Sequence, residues 1–122
     1  MSRKVLIIED DFALADIMIA LLKKNGFEPH HAADGEAGVE AARKLRPDVV
    51  LLDVRLPKMD GYEVCRALRT EEKTKGVHII MVTQVGQMGE VEKAFSCGAH
   101  DYLTKPFDSD RLLKKIEKAL PS

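Results

Sequence analysis

Cysteine is scarce in this chain, with only Cys65 and Cys97 among 122 residues. Neither sits in a Cys-x-x-Cys pair or beside a paired-histidine motif, which points away from a zinc site or a disulfide framework and toward reduced thiols in or near the core. An excess of charge of one sign is also lacking. Nineteen basic side chains face twenty acidic ones, a formal net charge of −1, so the bulk composition draws the chain neither to nucleic acid nor to an anionic membrane. Long apolar runs are missing. Nothing approaches the ~18 residues of a membrane span, and Val5 to Ile8 is shorter than the roughly 7 residues of a secretory core. No P-loop, Gly-x-Gly-x-x-Gly, internal repeat, low-complexity tract or linker occurs. The expectation is a soluble, cytoplasmic chain folding as one domain over 1–122, large enough to bury roughly two-thirds of its unfolded surface.

What is present is an alternation of short apolar runs and amphipathic stretches. Val5 to Ile8 reads as a buried strand that stops at Glu9, Asp10 and Asp11. Phe12 to Lys24 carries Leu14, Ile17, Met18, Leu21 and Leu22 as a helical stripe closed by Asn25-Gly26. Phe27 to Ala33 is a more polar strand suited to a sheet edge, and its adjacent His30 and His31 point to opposite faces, so they cannot share a metal. Asp34-Gly35 turns into a helix over 36–45, with Val39, Ala42 and Leu45 on one side, ended before Pro47. The basic group Arg43, Lys44 and Arg46 reads as the solvated face of that helix end. Asp48 to Asp53 is an apolar run ending on a carboxylate, as a strand buried on both faces should be.

The loop Val54 to Asp60 leads to a helix from near Gly61 that turns Val64, Cys65 and Leu68 inward. A charged loop over 70–76 follows. Val77 to Val82 is a fourth strand, ending at Thr83; after the loop 84–89, a helix from about Met88 to Cys97 uses Val91 and Phe95 and closes at Gly98. His100 to Thr104 is a fifth strand, ending at Lys105-Pro106. Asp108 or Ser109 caps a last helix with Leu112, Leu113, Ile116, Ala119 and Leu120 on one stripe, and Pro121 stops it.

Uninterrupted strand-helix pairs predict a parallel sheet with right-handed crossovers and helices on both faces. All strands of such a sheet end on one edge, where open α/β folds bind their ligands. That edge collects Glu9, Asp10, Asp53, Thr83 and Lys105. Taken singly, each has an ordinary structural use as a cap, a strand-end residue or a surface lysine. Together they do not. Three carboxylates within ~5 Å repel by roughly 3 kcal/mol per pair at an effective dielectric near 20. Lys105 offsets part of this, and the remainder calls for a hard divalent cation with oxygen ligands, Mg²⁺. A carboxylate beside Mg²⁺, an amine and a hydroxyl is a set for phosphoryl transfer, with Asp53 as nucleophile.

With these residues in place, the chain resembles, end to end, the receiver domain of two-component response regulators, chemotaxis regulators included. The resemblance rests on the acidic pair Glu9-Asp10, the acceptor Asp53, the loop residues Pro57 and Asp60-Gly61, the switch pair Thr83 and Tyr102, and Lys105-Pro106, whose proline is usually cis in the family. It implies a flavodoxin-like, doubly wound (βα)5 sheet of order 2-1-3-4-5. It further implies that Asp10, Asp53 and the backbone carbonyl of Arg55 bind Mg²⁺, with Glu9 acting through water. A phosphohistidine on a sensor histidine kinase or phosphotransfer protein would supply the phosphoryl group to Asp53. Thr83 and Lys105 would engage it, Tyr102 would turn inward, and the face of the fourth helix, fifth strand and fifth helix would signal to a downstream protein or fused output domain. Such a chain catalyses only its own phosphorylation and dephosphorylation. Gln84 departs from the small residue common after the switch threonine; with Arg55 it stands at the site entrance, where both can alter hydrolysis.

Other readings fit less well. A degenerate receiver, binding partners without phosphorylation, would follow if Gln84 spoiled the pocket, but Asp10, Asp53, Thr83 and Lys105 are all retained. A haloacid-dehalogenase-type phosphatase wants a second Asp where Arg55 stands, and an acidic pair at a strand end where Asp108 and Asp110 start a helix instead. A flavin carrier would need a phosphate cradle where Glu9-Asp10-Asp11 would repel one. The chain is either free-standing or the receiver part of a longer protein.

Overall fold

The computed structural model describes residues 3–84 and 90–120. The elements alternate strictly: β1 (Lys4–Ile8), α1 (Phe12–Lys24), β2 (Glu28–Ala32), α2 (Gly35–Leu45), β3 (Val49–Asp53), α3 (Gly61–Thr70), β4 (His78–Gln84), α4 (Glu90–Ser96), β5 (Asp101–Lys105) and α5 (Ser109–Ala119). Every strand pair is parallel, and the order is β2-β1-β3-β4-β5, as expected. The loop 85–89, the helix start at Met88, the side chain of Val91 and the stop at Pro121 lie outside the described residues.

Strand alternation explains why the central strands are apolar throughout. Leu6, Ile8, Val50, Leu52, Ile79 and Met81 pack on one face with residues of α2, α3 and α4. Val5, Ile7, Val49, Leu51, Ile80 and Leu103 pack on the other with α1 and α5. Each fully buried Val, Leu or Ile contributes roughly 1.5–3 kcal/mol, so a polar residue inside β3 is tolerated only at its end. Asp53 is at that end.

Two inward assignments are corrected. Ile17 is 66% exposed and Phe95 50% exposed. Ala15, Met18 and Leu22 face the sheet from α1, and Ala94 from α4, because alanine lets a helix approach closely and rotates the buried stripe away from the bulkier neighbour. The basic group at the end of α2 is exposed as expected, and one member also makes a tertiary contact. Arg43 forks onto Glu71 through Nη2 and Nε at 2.5 and 2.8 Å, tying α2 to the end of α3. This pairing holds the Glu71 carboxyl below the usual range.

Four aspartates cap helices at the carboxyl edge of the sheet. Asp11, Asp34, Asp60 and Asp108 each accept a backbone N–H three residues on, from Leu14, Ala37, Glu63 and Arg111, worth about 1 kcal/mol per cap. Gly61 makes the approach of α3 possible: a Cβ there would lie 2.7 Å from Val54 Cα, while its N–H donates to the Val54 carbonyl at 2.9 Å. Gly98 closes α4 at φ +99°, in the left-handed region. Both cysteines are free and buried; Cys65 Sγ donates to the Cys97 carbonyl, and burial pushes its thiol pKa up.

Candidate functional site

Asp11, Asp34, Asp60 and Asp108 are committed to caps, whereas Glu9, Asp10 and Asp53 cap no helix and cluster at the carboxyl edge. One oxygen from each lies within 4.8 Å of the others. Glu9 and Asp53 are buried and Asp10 is exposed. Asp53 Oδ1 accepts the Arg55 N–H at 3.2 Å, which orients the carboxylate across the end of β3. Lys105 Nζ donates to Glu9 Oε1 at 3.0 Å and to Asp53 Oδ2 at 3.3 Å. Burial and the neighbouring Asp53 raise the Glu9 carboxyl above its ordinary pKa. Burial disfavours the Lys105 ammonium, but the charge of Asp53 and the hydrogen bond to Glu9 outweigh it, and its pKa rises. Three carboxylates against one ammonium leave a local surplus of negative charge, at an edge offering only hard oxygen donors. That donor set fits Mg²⁺ rather than a softer metal.

Thr83 stands next in the sheet. It is 2% exposed, and its Oγ1 is a buried side-chain oxygen with no hydrogen-bond partner among the described residues. Met81 pairs in register with Tyr102, and Thr83 with Thr104, so Thr83 and Tyr102 share one face of the sheet. Tyr102 is half-buried, with Phe95 edge-on at 6.0 Å and Lys115 Nζ 5.1 Å from the ring centroid. The Lys105-Pro106 peptide is cis. Gln84 is exposed, pairs with Lys105, and lines a groove of about 600 Å³ between α1 and α5 with Leu14, Ile17 and Phe107. The Arg55 side chain is exposed.

His31 was not anticipated as part of this region. Its Nε2 donates to the Glu9 carbonyl at 2.7 Å, with Phe12 edge-on to the ring at 5.4 Å, so β2 steadies the acidic loop. The clue lies in strand register, Ile7 opposite His31, which the pair of adjacent histidines does not reveal. His30 turns the other way, to Glu28.

The family described as the response regulator receiver domain matches residues 5–117. The chain belongs to that family. This receiver is 40% identical over 117 residues to the DNA-binding dual master transcriptional regulator RpaA of Synechocystis, covering 96% of this chain and 48% of RpaA; it spans about half the length of that relative. Among solved structures, the Vibrio cholerae chemotaxis protein CheY4 superposes with a TM-score of 0.92 at 32% identity, covering 98% of this chain and 100% of CheY4. The receiver domain of the Pseudomonas aeruginosa sensor histidine kinase PA1611, which has a magnesium ion coordinated in its active-site cleft, superposes at 0.89 with 32% identity and 97% coverage of both chains. The receiver is therefore a phosphorylation-switched signalling module of the two-component type. Among the described residues no helix is long and apolar enough to cross a membrane.

Proposed function

We propose that Asp53 is the phosphoacceptor of this receiver, taking its phosphoryl group from a phosphohistidine on a sensor histidine kinase or phosphotransfer protein. The observation that carries this reading is the environment of Asp53: a buried carboxylate, free of capping duty, 3.3 Å from Lys105 and one strand away from a threonine hydroxyl with no partner among the described residues. An Asp53 oxygen attacks phosphorus, the P–N bond to the imidazole breaks, and its electron pair returns to the ring, leaving an acyl phosphate. Hydrolysis reverses the charge: water attacks phosphorus, the acyl P–O bond breaks, and the carboxylate is restored. Asp10, Asp53 and the Arg55 carbonyl would hold Mg²⁺, with Glu9 acting through water. When bound, the ion supplies neutralisation of the phosphoryl oxygens. Lys105 contributes a second positive charge and Thr83 a hydroxyl donor that has no partner among the described residues.

Movement of Thr83 toward the phosphoryl group opens space on the face it shares with Tyr102, and the ring turns inward. This shifts the population of the α4-β5-α5 face, where Phe95 is exposed, toward its signalling form. The whole of 1–122 acts as one such unit in the cytoplasm, reporting to a downstream protein or to a fused output domain, and its chemistry is confined to its own Asp53. The test is intact mass after incubation with acetyl phosphate and Mg²⁺. One added phosphoryl group is expected, absent in Asp53→Asn and after chelation of the metal. An unmodified wild-type chain would instead favour a receiver that binds partners without phosphorylation.

A further inference from the structure

The amino ends of the strands form the opposite edge of the sheet, and its chemistry is the reverse of the Asp53 edge. There a cavity of about 400 Å³ is lined by Arg3, Arg46, Asp48, Lys73, His78 and His100. Asp48 is already engaged: its Oδ2 accepts the Lys4 N–H at 2.8 Å and its Oδ1 faces Arg3 at 4.0 Å. With the histidines neutral, three cations against one carboxylate leave a surplus of two positive charges at this cavity, in a chain whose formal net charge is −1. Neither Arg46 nor Lys73 has a carboxylate within ion-pair distance among the described residues. The two imidazoles stack at 4.5 Å and 23°. His100 Nδ1 accepts the Ile79 N–H at 3.1 Å, so its proton resides on Nε2 as a further donor.

Arg46 is the telling residue. It sits at φ +47°, in the left-handed region, where it caps α2 by donating its N–H to the Ala42 carbonyl. Glycine performs that task without the steric cost; arginine adds only a guanidinium. Cations also answer the negative ends of helices, which finish at this edge. That role is already filled on α2 by Arg43 and Lys44 in its last turn, and it does not call for a strained arginine sharing a cavity with a histidine pair.

We propose that this cavity is a second ligand site, for a small phosphate-bearing anion, independent of phosphorylation at Asp53. Its size falls in the range of about 300–1,000 Å³ usual for small-molecule pockets, and guanidinium groups bind phosphate bidentately. Burial holds the pKa of both His78 and His100 below the ordinary value; Asp101 opposes this at His78, while His78 and Arg69 add to it at His100. An arriving anion adds its negative charge to that of Asp48 and offsets the opposing cations Arg3, Arg46 and Lys73, which favours imidazolium, so binding takes up protons and strengthens as pH falls.

The test uses the Asp53→Asn chain without Mg²⁺, titrated with inorganic pyrophosphate and followed by amide and imidazole NMR. Saturable shifts are expected at His78, His100 and Lys73 and not at the Asp53 edge, with tighter binding at pH 6 than at pH 8. Arg46→Gly should weaken binding about tenfold or more, the loss of one charge-assisted contact, without lowering the melting temperature. Absence of saturation at millimolar pyrophosphate, or unchanged affinity in Arg46→Gly, would overturn the proposal. So would shifts confined to the Asp53 edge.

Discussion

A buried hydroxyl without a partner costs about 1–3 kcal/mol, and Thr83 has none among the described residues. Thr83→Val keeps the shape and removes the orphan oxygen. It is expected to raise stability by about 1 kcal/mol, read as a higher urea midpoint, while Asp53 still accepts phosphate but Tyr102 no longer responds. A lower midpoint would mean that the hydroxyl is satisfied in solution. Gln84, beside Lys105 at the groove mouth, is expected to slow hydrolysis by hindering water; Gln84→Ala should lose phosphate several-fold faster, and equal decay rates would remove that role. Asp10, Asp53, Thr83 and Lys105 were legible as a group because each ends an apolar run, and parallel strands bring such ends together. His31 was not, since its partner is a backbone carbonyl whose position depends on register rather than residue type.

The first residue of α3, Gly61, lies against the end of β3. Gly61→Ala would drive a methyl group into the backbone at Asp53 and Val54. Overpacking of this kind costs about 1–3 kcal/mol, so a lower melting temperature and slower phosphorylation are expected together; an unchanged phosphorylation rate would show that α3 does not position Asp53. Element order and type followed from periodicity, but helix rotation did not. On α1 the true stripe runs Ala15, Met18, Leu22, and a pattern weighted by large apolar residues gives Ala15 too little and Ile17 too much. The same bias placed Phe95 inward where Ala94 is buried. Strand ends also shifted: β4 reaches Gln84 and β5 reaches Lys105, since sheet pairing continues past the apolar residues that mark a strand.

Across the whole molecule the two ends of the parallel sheet carry opposite local surpluses, three carboxylates against Lys105 around Asp53 and three cations against Asp48 in the cavity that His78 and His100 line. The two edges respond oppositely to acid. Burial lowers the pKa of His78 and His100 from 6.5, so near and below that value the unfolded chain binds protons more readily than the folded one. Their contribution is therefore complete above about pH 6.5 and is lost as pH falls through the depressed folded pKa. Glu9, raised from 4.5, works the other way, gaining stability as it protonates. His100→Gln, which can still accept the Ile79 N–H, isolates the histidine part: melting temperatures of wild type and variant should converge between pH 7.5 and 5.5, and a constant gap would contradict this. The central assignment, Asp53 as acceptor, is tested most directly by chemical trapping. After transfer from a labelled phosphohistidine protein in the presence of Mg²⁺, borohydride reduction converts an aspartyl phosphate to homoserine, and peptide mass mapping should find that conversion at residue 53; conversion at another acid, or none at all, would contradict it.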